Sequence, residues 1–210
     1  MILENNRTLK LKWIFASLLA SLVWLLPISA QAALSPVAVS IFPPLQFPPE
    51  DFSITGARLS LLWGDHRDVY GLDVGLLGNV TQQDFIGIGI AGGVNITKGT
   101  TKIIGLQAAG IANVNMNKTD AFGLQLALGM NYNNAASTVS GLQAALLGNY
   151  APFTDVYGVQ VGIFNRAKEV YGLQIGLINV ADSLHGIQIG LLNFHNKGTF
   201  IVSPVINIGF

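Results

Sequence analysis

Apolar and polar residues alternate along most of the chain with a period of two. In residues 122–131, for example, one face carries Leu124 and Leu126, and the other carries Gln125 and Ala127. This alternation is typical of β-strands, because successive side chains of a strand point to opposite faces. A short polar segment, usually opened by Asn, follows each apolar run and carries most of the charges. The pattern predicts ten strands, at about 53–64, 68–79, 84–95, 102–113, 120–131, 138–149, 155–165, 169–179, 183–193 and 199–210.

The predicted strands are copies of one tandem repeat, Gly-h-Gln-h-small-h-h-(x)-Asn, in which h is an apolar residue. The clearest copies begin at Gly172 (GLQIGLIN) and Gly186 (GIQIGLLN), and weaker copies begin at Gly56, Gly71 and Gly87. Successive copies start 15, 16, 18, 18, 18, 17, 14 and 14 residues apart.

Three all-β architectures are compatible with such a repeat. A solenoid needs a constant coil length, since each coil stacks on the last, and the drift in period argues against it. Hairpin loops between antiparallel strands tolerate the same drift. The identical motif in every strand favours the solenoid, however, because antiparallel neighbours point in opposite directions. A β-solenoid and a soluble β-sandwich are therefore kept as alternatives.

The chemistry of the two strand faces favours a membrane β-barrel. Charged residues make up 10% of the chain, against about 25% in ordinary soluble domains. The apolar face is nearly uncharged, as contact with lipid requires. The predicted strands also match the roughly 9–11 residues that cross a bilayer when tilted. We predict an all-β fold, an antiparallel meander closed into an outer-membrane β-barrel of about ten strands.

The C-terminal residues support the same prediction. Phe210 is the last residue, and Ile208 and Ile206 share its face of the final predicted strand. A terminal Phe with apolar residues at alternate upstream positions resembles the assembly signal of bacterial outer-membrane barrels. Pro204 departs from that pattern. We therefore expect outer-membrane lipid and the barrel assembly machinery as partners.

The first 32 residues are predicted to be a secretory signal peptide. A basic segment precedes an apolar run at 13–27, and Ala30-Gln31-Ala32 forms an A-x-A cleavage site. A Pro-rich leader at 33–52 and a β-repeat barrel domain at 53–210 follow. The sequence contains no cysteine, which excludes disulfides and lipid attachment at the cleavage site. We expect an exported protein at the bacterial outer membrane or the cell surface.

A polar row is predicted to run across the inward face of the strands. Arg58 and Asp73 occupy the third repeat position on neighbouring strands, where each offsets the desolvation of the other. One interpretation of the row is a polar ring that lines a pore. The preferred interpretation is a hydrogen-bonded ladder in a narrow interior, because buried amides need partners. The row comprises Arg58, Asp73, Gly89, Gln107, Gln125, Gln143, Gln160, Gln174 and Gln188.

Few residues suggest catalysis or cofactor binding. Residues 33–210 contain eight basic and ten acidic residues with no basic stripe, which excludes nucleic acid as a partner. Gly87–Gly92 matches G-x-G-x-x-G, but no helix follows it, so we expect no dinucleotide site. His66, His185 and His195 lack metal-ligand spacing and are expected to be solvated. We expect no catalytic residue, cofactor or metal, and the ligand is unknown.

The tandem GLQIGLIN and GIQIGLLN units resemble those of a family of uncharacterised bacterial surface-repeat proteins. The segments 44–56 (PLQFPPEDFSITG) and 186–210 extend the resemblance to most of the chain after the signal peptide. The resemblance implies an envelope or surface location and brings no activity. The expected function is a non-enzymatic outer-membrane or cell-surface β-repeat protein, structural or weakly pore-forming. The alternative is a secreted or surface-attached β-repeat binding module.

Overall fold

Successive copies of the repeat pair side by side as parallel strands. The computed structural model describes residues 33–210, in which Gln143 lies opposite Gln160 and Asn149 lies opposite Asn165. The same register continues from one coil to the next, so each repeat position forms a column along one axis. The fold is a β-solenoid of about nine turns.

Each turn contains a long strand, which carries the Gly-h-Gln residues, and a short strand, which starts near the Asn. A two-residue bend separates them, as at Leu146 and Leu147. The strands of residues 33–210 are β1 (Leu34–Phe42), β2 (Leu45–Phe47), β3 (Ser53–Ser60), β4 (Trp63–His66), β5 (Asp68–Gly75), β6 (Gly78–Thr81), β7 (Phe85–Ala91), β8 (Val94–Thr97), β9 (Thr101–Ala109), β10 (Ala112–Asn115), β11 (Thr119–Ala127), β12 (Met130–Asn133), β13 (Ser137–Ala145), β14 (Gly148–Val161), β15 (Phe164–Ile175), β16 (Ile178–His195) and β17 (Val202–Gly209). In β14, β15 and β16 the short strand runs on into the next long strand.

The prediction of an outer-membrane β-barrel is wrong. The repeats pair in parallel, whereas a barrel meander requires antiparallel neighbours. The predicted strands are also divided at the bend, so the one predicted at 138–149 forms β13 and the first residues of β14. The solenoid that the sequence left as an alternative is the observed architecture.

Most of the drift in period is absorbed where the chain turns between one Asn and the next Gly. The Asn follows the Gly at a separation of eight positions up to Gly141 and Asn149, and of seven positions from Gly158 and Asn165 onward. From Asn to the following Gly, the separation varies from seven to ten residues. Most of the extra residues therefore lie in surface turns, where insertions are tolerated, and one lies between the Gly and the Asn, so the columns stay aligned. For this reason, the variable period is compatible with a solenoid and does not imply hairpins.

The Gly that opens each repeat permits close contact between coils. Gly141 has a φ of 133°, a region that L-amino acids rarely adopt. A Cβ at Gly141 would lie 2.1 Å from the carbonyl oxygen of Gly123. The same contact recurs at Gly158 and Gly172, so the column of glycines is a requirement of the stacking.

Apolar side chains fill the interior beneath the first residues of the long strands. One buried cluster runs through the first coils and a second through the last ones. The first cluster contains Ala38, Ile54, Val69, Phe85, Ile103, Ala121 and Val139. The second contains Val156, Ala167, Val170, Ala181 and Leu184. Together they give the narrow solenoid a hydrophobic core beside its polar columns.

Strands that depart from the parallel pattern cover both ends of the stack. β1 pairs in parallel with β3 and antiparallel with β2, so the predicted leader at 33–52 belongs to the first coil. β17 pairs antiparallel with β16. It contains Pro204, which lacks an N–H to extend the sheet, and Val205 has a φ of 69°. These features make the outer edge of β17 a poor template for another strand. The predicted signal peptide at 1–32 lies outside the described residues.

Candidate functional site

The Gln residues of the predicted row form a hydrogen-bonded ladder in the interior. Gln160 Nε2 donates to Gln143 Oε1 at 2.8 Å, and Gln174 Nε2 donates to Gln160 Oε1 at 2.7 Å. None of these three side chains is exposed to solvent. The same bond links the remaining members, which are Gln107, Gln125 and Gln188, and the last acceptor is reached by Asn207 of β17.

A second ladder is built from the Asn that closes each repeat. Asn149 Nδ2 donates to Asn165 Oδ1 at 2.7 Å and to the carbonyl oxygen of Val161 at 3.0 Å. Donation runs toward the following coil here and toward the preceding coil in the Gln ladder. The two rows of amide dipoles therefore oppose each other along the axis. The column comprises Asn79, Asn95, Asn113, Asn131, Asn149, Asn165, Asn179 and Asn193.

A buried ion pair begins the predicted row at its N-terminal end. Arg58 Nε and Nη2 donate to the two carboxylate oxygens of Asp73, each at 2.7 Å. Arg58 Nη1 also donates to the carbonyl oxygen of Val80 at 2.7 Å. Gly89 follows Asp73 in the column, and the ring of Phe85 fills its place, since a Cβ at Gly89 would lie 2.8 Å from Phe85 Cζ. This ring separates the ion pair from the Gln ladder.

His66 packs against the ion pair and is buried, so the expectation that it is a solvated loop residue is wrong. Its Nε2 lies 3.1 Å from the carbonyl oxygen of Pro48, and its Nδ1 lies 3.4 Å from Arg58 Nη1. Burial first, and the Arg58 charge second, lower the pKa of His66 from 6.5 to about 4. His66 is therefore neutral at pH 7. Its contact with Pro48 links that segment to the interior.

Large aliphatic side chains cover the outward side of the long strands. Two columns flank the Gln, one residue before it and one after it, and both point to solvent. We call these two columns the aliphatic face. The column before the Gln comprises Ala57, Leu72, Ile88, Leu106, Leu124, Leu142, Val159, Leu173 and Ile187. The column after it comprises Leu59, Val74, Ile90, Ala108, Leu126, Ala144, Val161, Ile175 and Ile189. Exposed Leu residues continue onto the bend, where Leu128 is 70% exposed.

Charged residues lie on the opposite margin, between each Asn and the next Gly. We call this margin the polar edge. It comprises Asp65, Arg67, Asp68, Asp84, Lys98, Lys102, Lys118, Asp120, Asp155, Arg166, Lys168, Glu169, Asp182 and Lys197. Several of them form ion pairs, such as Arg166 with Asp182 at 2.8 Å. The seven basic and seven acidic residues of this edge carry no net charge.

Aromatic rings lie between the aliphatic face and the polar edge. Tyr157, Tyr171 and His185 stack along the column before the Gly, with ring centroids 4.7 and 4.5 Å apart. Tyr132 and Tyr150 stack on the short-strand side, with centroids 5.8 Å apart. Rings with an apolar body and a polar tip are suited to a boundary between apolar and aqueous surroundings.

An apolar groove runs along the bend with a volume of about 1020 Å³. Each coil from β7 to β16 contributes the aliphatic residue after the Gln, a small residue, and often a large one on the bend. The small residue supplies the floor because its side chain is only a methyl group or a hydrogen atom. The floor comprises Ala91, Ala109, Ala127, Ala145, Gly162, Gly176 and Gly190. Within residues 33–210, none of the charged side chains lines this groove.

The residues proposed as an assembly signal lie on the C-terminal strand or directly after it. Ile206 and Ile208 of β17 pair opposite Ile189 and Ile187 and continue the two columns of the aliphatic face. Phe210 follows β17 and is fully exposed. The three residues thus extend the apolar surface of the solenoid to its last strand.

Comparison with known proteins adds no homologue: no family model, curated protein or solved structure matches the chain. In residues 33–210, no helix is long and apolar enough to cross a membrane. The same residues contain no group of three or more His, Cys, Asp or Glu that could hold a metal ion.

The groove was not predicted from the sequence. Its signal was the small residue at a fixed place in the repeat, as in Gly-Leu-Gln-Ile-Gly. The period-two pattern placed that residue on the inward face of a strand and gave no indication of a corner. Recognising the corner required the bend after β13, and a period-two pattern does not encode a bend.

Proposed function

We propose that this protein is a non-enzymatic, surface-attached β-solenoid that binds lipid of the bacterial envelope through its aliphatic face. The observation that carries the proposal is the sorting of the outer surface into aliphatic columns, aromatic margins and a charged edge. Removing apolar surface from water contributes about 25 cal/mol per Å². Contiguous exposed apolar patches of this kind usually mark an interaction site.

The charge distribution favours a neutral, apolar partner. The polar edge has no net charge, and the charges closest to one another form ion pairs. A nucleic acid or an acidic surface would require a basic patch. The apolar surface also continues from the aliphatic face around the bend at Leu146 and Leu147. A lipid layer can cover an apolar surface that continues around a bend, whereas a flat protein partner covers one side of it.

The location in the envelope rests on the sequence. Residues 1–32 carry the predicted export signal, and the repeat resembles that of uncharacterised bacterial surface-repeat proteins. The Gln and Asn ladders contribute to stability rather than to transport, because their side chains are buried. The proposal includes no role for barrel assembly machinery, since the fold is a solenoid.

Vesicle flotation tests the proposal. The exported protein, purified from cells that express the full chain, is mixed with phosphatidylcholine vesicles and centrifuged through a density gradient. We expect flotation at both low and high salt, because the contact is apolar. The double variant Leu124→Lys with Leu142→Lys places two charges on the aliphatic face and is expected to stay at the bottom. A charge at the centre of a lipid contact costs roughly 2–4 kcal/mol.

The matched control is Asn134→Lys with Ala136→Lys, which adds the same two charges beside the polar edge. This variant is expected to float like the parent protein, and circular dichroism verifies that both variants are folded. The proposal is wrong if the parent protein does not float. It is also wrong if salt abolishes flotation, which would assign binding to the polar edge, or if both double variants float equally well.

A further inference from the structure

The groove at the bend has the chemistry of a site for a single kind of molecule. Its walls are side chains such as Ile175 and Leu177, and its floor is Ala or Gly. No lining side chain carries a polar group. A ligand that fits this lining has no charge and no hydrogen-bonding group along its length.

The backbone beneath the groove is already paired and offers nothing to a peptide. Leu128 N donates to the carbonyl oxygen of Ala109 at 3.2 Å, and Gly176 N donates to that of Ile189 at 3.0 Å. These bonds join one coil to the next within the sheet. A peptide laid in the groove would find no backbone partner there, and each N–H or C=O group turned towards the lining would lose its hydrogen bond to water, at a cost for each group. A hydrocarbon chain has no such groups.

The shape of the groove is that of an extended chain. Its lining residues come from seven successive coils, from Ile90 to Leu191. Six steps of about 4.8 Å give a length of about 29 Å. An extended long-chain acyl group is shorter than this and can lie along the groove across several coils.

We infer that this groove binds one linear acyl chain of a lipid or free fatty acid, laid parallel to the solenoid axis. The inference rests on the proposed function and deepens it, because it names the part of the lipid that the protein holds. The absence of charged residues from the lining places the polar head of the ligand beyond the groove, in water. The site is defined by the Ala or Gly of each repeat and by the aliphatic residues on either side of it.

Fatty-acid displacement tests the inference. The exported protein is titrated with cis-parinaric acid, whose fluorescence rises in apolar surroundings, and the bound probe is displaced with hexadecanoic acid. We expect saturable binding that weakens by about two- to fourfold for each methylene removed from the competing acid. Ala144→Trp fills the groove from its wall and is expected to weaken binding by at least about tenfold. Ala108→Trp does the same two coils away.

The control is Ser140→Trp, which puts the same side chain on the outward side of the same strand, away from the groove lining. It is expected to bind hexadecanoic acid like the parent protein, with all variants checked by circular dichroism. Equal binding by parent, Ala144→Trp, Ala108→Trp and Ser140→Trp would overturn the inference. So would a parent protein that binds no fatty acid but is a dimer by light scattering and becomes a monomer on Ala144→Trp, because a second copy would then fill the groove.

Vesicle flotation of the same proteins separates the two proposals. Flotation without fatty-acid binding removes the acyl site and leaves the lipid-binding face. Fatty-acid binding without flotation removes the lipid-binding face and supports the acyl site as a carrier of single molecules.

Discussion

A carboxyl group placed in the Gln ladder should make the stability of the solenoid depend on pH. In Gln160→Glu, one carboxyl oxygen can still accept the bond that Gln174 Nε2 donates at 2.7 Å. The other takes the place of Nε2 and faces Gln143 Oε1 across 2.8 Å, so two acceptors meet. Protonation restores the donor, because the carboxyl O–H then points at Gln143 Oε1. The folded state therefore favours the protonated form, and this raises the pKa of the new carboxyl group.

The size of the effect follows from burial. Gln143, Gln160 and Gln174 are not exposed to solvent, and burial raises the pKa of fully buried carboxyl groups by as much as about 3–5 units. The unfolded chain titrates near pH 4.3. With a folded pKa of about 7 or higher, the loss of unfolding free energy grows with pH, from little at pH 4.5 to about 3–4 kcal/mol at pH 7.

Urea denaturation at pH 4.5 and at pH 7 measures this difference. The control is Gln83→Glu, because Gln83 is exposed in the turn before β7. Subtracting the control removes the pH dependence that both proteins share. We expect the two variants to be similar at pH 4.5 and to differ by several kcal/mol at pH 7. An equal difference at both pH values would refute the ladder as the environment of Gln160.

Three further predictions follow from the structure. His66 is held neutral with a pKa of about 4, so the unfolded chain binds one more proton between pH 6.5 and 4. As the pH is lowered across that window, the unfolding free energy should fall by about 1.4 kcal/mol per pH unit. His66→Gln should remove this slope in urea titrations. Gly141→Ala should lower stability by at least about 1–3 kcal/mol, measured by thermal unfolding, because its φ is 133° and its Cβ would meet backbone. A Thr138→Cys, Asp155→Cys pair should form a disulfide on oxidation, since these residues are direct register partners. The Thr138→Cys, Arg166→Cys pair, which an antiparallel hairpin would join, should stay reduced, and the reverse outcome would contradict parallel stacking.

The sequence alone showed that the repeats form β-strands and distinguished the two faces of each strand. Period-two alternation placed Gln143 and Leu142 on opposite faces, and the structure has the first buried and the second on the aliphatic face. The concentration of charges after each Asn was also visible in the sequence, and these residues lie on the polar edge. Such features depend on the local geometry of a strand, which is the same in every β architecture.

The direction of pairing was decided only by the tertiary structure. Alternation does not distinguish a parallel from an antiparallel neighbour, and the variable period was misread because the turns absorb it. In an antiparallel pair, the opening Gly of one strand would face the closing Asn of the next. Parallel stacking instead places Gly123 against Gly141 and Asn149 against Asn165. Close backbone contact at the glycines and amide ladders at Gln and Asn are both possible only in this register.

The solenoid, the interior site of His66 and the groove share one physical cause. Each depends on residues from different coils that come together when the chain stacks, as when Pro48 meets His66. The sequence by itself determined which residues face inward, which face outward and where the charges lie. The stacking decided that the outward aliphatic residues form continuous columns, and that the small residue of each repeat becomes the floor of a groove about seven coils long.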